Sequence, residues 1–295
     1  MKNLNIVLII ILFIIIIIIL IYVFKFNVFK FNVQDKQYFI TQLKNTQLKN
    51  NQLKNTQLKN TQSENIQFLS KEDTYNFLAS DPDNYIHNFN QSDLIARKVN
   101  NIEKYLNKIS NSAESFTERE KEYLTEISQK ANKQILNLNF PYSNELGNIL
   151  FKFAKTKGRI YENGFPHTRK DIIFLATPFF SQNNAITTLI HEKVHLFQKN
   201  YPNFTHQYLK QNNYQYQGEL SPSQKQQKRS NPDINNSIWS DPNGNHMLPL
   251  FKNKNPHSMN DIMTSEKNQH PYEAMAYQLE LQMSQTGDGG SSLVK

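Results

Sequence analysis

Apolar positions along this chain change their spacing from segment to segment, and each spacing predicts a different element. Residues 6–24 are an unbroken apolar run, mostly isoleucine. Nineteen residues at about 1.5 Å each span roughly 28 Å, the thickness of a bilayer's hydrocarbon core. A polar stretch follows in which TQLKN-type pentads place Leu43, Leu48, Leu53 and Leu58 five residues apart. Five residues advance about 140° on a helix, so these leucines form no seam, and the stretch reads as a spacer. Beyond it, Ser70 with Asp73 predicts a helix start running to Asp81-Pro82. Ile95, Val99, Ile102, Leu106 and Ile109 predict an amphipathic helix over 92–109. Thr117 with Glu120 predicts a capping box, followed by Leu124, Ile127, Ala131, Ile135 and Leu138 on one face.

The pattern then shortens. Residues 148–154 and 171–176 read as strands, separated by Lys157-Gly158 and Asn163-Gly164-Phe165-Pro166 turns. A helix over about 183–199 buries Leu189, Ile190, Val194 and Phe197. Residues 201–258 are polar, with many Asn, Gln and Pro residues and only scattered apolar ones. A last helix is expected over 272–284 behind Pro271, with a Gly-rich tail from Gly287.

These elements predict an α+β fold: a mainly helical domain over 63–286 with a small β-sheet, preceded by one transmembrane helix (1–24) and a low-complexity stalk (25–62). The tail is 287–295. The expected protein is therefore single-pass, held in a membrane through residues 6–24. The apolar run is too long for a signal peptide and no small-residue cleavage site follows it. Lys25, Lys30 and Lys36 outnumber Lys2 across the span, whereas sequons at Asn90, Asn203 and Asn235 point the other way. The side of the membrane and the oligomeric state stay open.

The 33 basic and 25 acidic residues give a net charge of +8. Eight of the lysines and only one acid, Asp35, lie in residues 1–62, so the stalk carries nearly all of the excess. A near-neutral domain argues against a nucleic-acid partner, and none is expected. With no cysteine there are no disulfides, thiolate ligands or cysteine nucleophile.

Chemistry concentrates at His191-Glu192-Lys193-Val194-His195. Residues four apart share a helix face, so both imidazoles can reach one zinc ion. Glu192 then stands beside the open side of the metal, where a water would be activated. Lys193 reads as solvated. A metzincin pattern would need glycine at 198 and histidine at 201, where the chain has Gln198 and Tyr201. Third-ligand candidates downstream are His206, Asp261, Glu266, His270, Glu273 and Glu280.

Thr188–Gln198 (TLIHEKVHLFQ) and His270–Tyr277 (HPYEAMAY) resemble gluzincin-type zinc metallopeptidases, in particular zincin-like membrane proteins of large DNA viruses. Arg229–Asp233 (RSNPD) extends the likeness. The resemblance implies Zn²⁺ held by His191, His195 and Glu273, the last one turn into a short helix, with His270 as the alternative. It implies a membrane-anchored metallopeptidase whose partner is a peptide or protein substrate, with Glu192 as general base. Tyr277, Tyr272 and His257 are candidates for stabilising the oxyanion. Asp171–Ala176 is a candidate edge strand for pairing with an extended peptide. Asp233 reads as part of a turn or as a group orienting a ligand histidine. His87, His167, His206 and His246 read as hydrogen-bonded loop or surface residues. The competing readings are a membrane or virion structural protein that keeps a zincin-like fold without catalysis, and a hydrolase of another amide.

Overall fold

The computed structural model describes residues 66–286. In chain order, strand β1 (Ile66–Phe68) leads to helices α1 (Lys71–Ser80), α2 (Gln91–Ala96) and α3 (Ile102–Ser110). Strand β2 (Ala113–Glu114), the long helix α4 (Glu118–Leu136) and α5 (Ser143–Asn148) come next, then β3 (Phe151–Thr156), β4 (His167–Arg169) and β5 (Ile172–Ala176). The C-terminal part comprises α6 (Ala185–Asn200), α7 (Pro202–Gln211), β6 (Gln215–Glu219), α8 (Pro222–Lys225), β7 (Ser237–Ser240), β8 (His246–Met247) and α9 (Pro271–Thr286).

Helix starts follow the side chains that satisfy their free N–H groups. Ser70 Oγ accepts from the Asp73 N–H at 3.0 Å, and Thr117 with Glu120 closes the expected capping box. The helix expected over 92–109 is instead two. Asn90 and Asp93 box the start of α2, Lys98 turns the chain into the left-handed region (φ 57°), and Asn101 caps α3 through the Lys104 N–H at 2.8 Å. Apolar spacing carries across such a break, which is why the pattern reads as continuous.

One sheet has the order β1-β3-β5-β4, with β2 also pairing along β3. β1, β3 and β5 run parallel, and β4 lies antiparallel at the edge. Helices cover both faces. On one, Ile173 and Leu175 of β5 and Phe151 and Phe153 of β3 meet Leu124 and Ile135 of α4 and Val194 and Phe197 of α6. On the other, Ile172 and Phe174 meet Leu78, Tyr105 and Ile109. A strand buried on both faces needs apolar residues at every position, which is what IIFLA supplies.

The expected fold class is corrected in two respects. α+β describes the chain, but its β-structure is not one small sheet: a five-stranded mixed sheet is joined by a three-stranded sheet, β6-β7-β8, built from the polar segment for which the sequence suggested no element. The polarity that hid those strands reflects β6, whose residues are mostly exposed. The transmembrane helix and the stalk expected over 1–62 lie outside the described residues, as does the tail from Gly287. Among the described residues, no helix is long and apolar enough to cross a membrane.

Lys193 is also corrected. It is fully buried on the core side of α6, donating to Asn132 Oδ1 and to the Gly147 carbonyl, with Nζ 4.3 Å from the Phe151 ring centroid. Burial pushes its pKa down to about 7. Phe197 on the same helix packs its ring against Phe140, Tyr142 and Tyr201. Phe197→Ala should cost about 3–5 kcal/mol, read as a lowered urea midpoint. A loss below about 1 kcal/mol would mean that α6 does not depend on this packing.

Candidate metal centre

α6 holds its histidines on the face opposite Lys193, and α9 packs along that face. Pro271 opens α9 and sets Glu273 in its first turn. The carboxylate reaches both imidazoles: Glu273 Oε2 lies 3.4 Å from His191 Nε2 and 3.6 Å from His195 Nε2. One ligand atom from each of the three residues falls within 4.8 Å of the others, so the group can hold a metal ion.

The surrounding bonds orient these donors. His191 Nδ1 lies 3.2 Å from Glu280 Oε2, and His195 Nδ1 lies 2.8 Å from Gln198 Oε1. Both partners accept, so each Nδ1 carries a proton, and Nε2 is the atom each ring turns toward Glu273. His195 Nε2 is buried with no hydrogen-bond partner, a costly state for a polar atom and the one a metal relieves. Asn231 Nδ2 donates to Glu273 Oε1 at 2.6 Å, leaving Oε2 for the histidines. Gln198 is itself held by the Tyr272 carbonyl at 2.9 Å.

Charge follows the geometry. Burial alone would depress His191, but Glu273 and Glu280 raise it well above the usual imidazole range. Burial works against ionised Glu273 too, yet His195 and His191 hold its carboxyl well below the ordinary value. Glu192 is buried on the same helix and accepts from the Thr168 hydroxyl at 3.0 Å. Burial and the Asp233 carboxylate push Glu192 up to about 7, against the pull of His195 and His191. His191, Glu192, Glu273 and Glu280 line a cavity of about 330 Å³, walled also by Arg229–Asp233, Glu266 and Tyr277.

Other candidates are placed elsewhere. His270 Nδ1 accepts the Tyr272 N–H at 3.2 Å and its Nε2 lies 3.0 Å from Asn235 Oδ1, so both nitrogens are occupied. Burial, with His195 and Lys228 nearby, pushes it down to about 3 despite Glu273. Glu280 serves His191, and Glu266 pairs with Arg229 at 2.8 Å. Of the three candidate oxyanion donors, Tyr277 lines the cavity, its ring 4.6 Å from that of His191, whereas Tyr272 and His257 do not line it. Asp233 is hydrogen-bonded to neither His191 nor His195. It accepts from the Thr168 N–H at 3.0 Å and from Lys199 Nζ at 3.1 Å. The segment expected at the sheet edge, β5, is interior; β4 is the edge.

Thr168, Gln198, Asn231 and Glu280 complete the site. Two of them carried a sequence signal. Gln198 follows His195 by three residues and Glu280 follows Glu273 by seven, spacings that keep a helix face. Comparison of the chain with protein-family models, with curated proteins and with solved structures gives no match.

Proposed function

We propose that this chain is a zinc-dependent hydrolase of gluzincin type that cleaves peptide bonds. The observation that carries the reading is the convergence of His191, His195 and Glu273 beside a buried glutamate, with both Nδ1 positions already committed. Two imidazoles and one carboxylate, all borne by helices, match a three-ligand catalytic zinc set that leaves a position open. When bound, zinc supplies Lewis acidity, polarising the scissile carbonyl and lowering the pKa of the attacking water.

The chain's own groups do the rest. Glu192, as carboxylate, takes a proton from the attacking water and passes it to the departing amine. Thr168 holds that carboxylate in place by its hydroxyl, and Glu280 and Gln198 fix the imidazole tautomers. Tyr277, on the cavity wall, donates to the oxyanion as the carbonyl becomes tetrahedral. Tyr277→Phe should lower kcat about 10²-fold with little change in metal content. Equal kcat in the two proteins would remove Tyr277 from this role.

The deciding experiment is metal analysis of the purified full chain, followed by cleavage of a broad peptide library. Stoichiometric zinc with cleavage supports the reading. A chain without zinc refutes it, and a zinc-bearing chain that cleaves nothing favours a non-catalytic scaffold.

A further inference from the structure

We propose that Asp233 and Lys199 fill the place of a substrate strand on β4, so that the site takes a short peptide or a chain end gripped by side chains, without strand addition. This rests on the hydrolase reading above and narrows its substrate class. In an antiparallel pair, the N–H and C=O of one residue face either the neighbouring strand or the open edge together. β4 pairs with β5 at His167↔Phe174, Thr168↔Ile173 and Arg169↔Ile172. The Thr168 N–H donates to Asp233 Oδ1 at 3.0 Å, and its C=O accepts from Lys199 Nζ at 2.9 Å. Thr168 is therefore the residue of β4 that faces outward, and both of its groups are taken.

The clamp is closed on itself, because Lys199 Nζ also donates to Asp233 Oδ1 at 3.1 Å. A carboxylate and an ammonium thus reproduce the acceptor and donor that an added strand would bring. No neighbouring position compensates. Pro166, the preceding outward position, has no N–H, and Lys170 (φ 50°) turns the chain out of the strand. Nor is the clamp a removable plug. Lys199 belongs to α6, and the segment bearing Asp233 is tied down where Ser230 N and Oγ each donate to Asp93 at 2.8 Å. Because the Thr168 hydroxyl also holds Glu192, the clamped residue is the one an extended substrate would cross beside the general base. The cavity of about 330 Å³ sits at the small end of ligand pockets, which suits a short segment.

The test uses the zinc-loaded full chain and peptides it cleaves. Main-chain amides on either side of the scissile bond are replaced one at a time by esters, and the peptides are shortened stepwise. A strand-added substrate loses about three- to tenfold in kcat/KM for each main-chain bond removed, at alternate positions. Here each ester is expected to change kcat/KM by less than about twofold, with activity kept in peptides of about four residues. An alternating loss of about tenfold would overturn the proposal. Absence of any cleavage would instead strike the hydrolase reading, and amide exchange at Thr168 then decides the clamp by itself. The Thr168 amide should be protected in wild type and released in Asp233→Ala. An amide that exchanges freely in wild type, or becomes protected only when peptide is added, would overturn it.

Discussion

Glu192→Gln is expected to lower peptide hydrolysis by about 10³-fold or more while the chain keeps its wild-type metal content. The two readouts separate because the residue stands beside the metal set without belonging to it. His191, His195 and Glu273 keep their geometry in the variant, and so do Glu280 and Gln198 behind the imidazoles. Glutamine matches glutamate in size, and its carbonyl oxygen still accepts from the Thr168 hydroxyl, so the buried pocket stays filled. On the proposed mechanism, what is lost is the basic oxygen that takes the proton from water and the acid that returns it to the amine. His195→Ala is the control in the other direction: it removes a ligand, and metal and activity should fall together. Metal content by mass spectrometry and kcat/KM on one cleaved peptide decide the matter. If Glu192→Gln keeps more than about a tenth of wild-type activity, another group is the base.

The elements that sequence reasoning reached are those whose side chains answer to a single local demand. Thr117 and Glu120 announce a helix start because they satisfy each other's backbone N–H groups, and IIFLA announces a strand covered on both faces. The HEKVH spacing was legible for the same reason, since helix geometry alone sets which side chains share a face, whereas the choice of Glu273 among six downstream candidates came from the resemblance to gluzincins. β4 was not legible. Its sequence, His-Thr-Arg, has no apolar residue, because Thr168 faces Glu192 while Arg169 enters a buried cluster with Asp81, Asp83 and Tyr161. A strand whose neighbours are charged carries no hydrophobic period to read. Lys193 failed for a related reason: its burial depends on Asn132 and the Gly147 carbonyl, which no local pattern brings near it. Asn231 and Asp233 lie in a block noted for its sequence, but which group each would hold depended on where β4 and α9 ran.

Arg97→Met is expected to destabilise the fold by about 3–5 kcal/mol at neutral pH, the cost of leaving buried carboxylates without their cation. The Arg97 guanidinium grips Glu162 with two bonds, at 3.0 and 2.8 Å, and reaches Asp93 Oδ1 at 3.1 Å, beneath the Phe89 ring. Lysine should not rescue it, since a point charge cannot reproduce that fork. Burial raises the Glu162 carboxyl, but Arg97 outweighs it and the net result lies below the ordinary value near 4.5. A carboxyl depressed in the fold stabilises above the unfolded pKa, and that contribution fades as pH falls through the folded one. In Arg97→Met burial acts unopposed, Glu162 takes up a proton at higher pH, and the penalty is relieved in acid. The difference in stability between wild type and variant should therefore be largest near pH 7 and shrink toward pH 4, measured by urea unfolding at each pH. The same lesion reaches the candidate metal centre. Arg97 donates to the Ser230 carbonyl at 3.2 Å, and Asp93 holds the Ser230 N–H, so loosening them frees the segment that aims Asn231 at Glu273 and Asp233 at Thr168. Folded Arg97→Met should then bind metal more weakly than wild type at temperatures well below its unfolding. A variant that lost stability by the same amount at both pH values, with unchanged metal affinity, would show that Arg97 neither neutralises Glu162 nor supports the site.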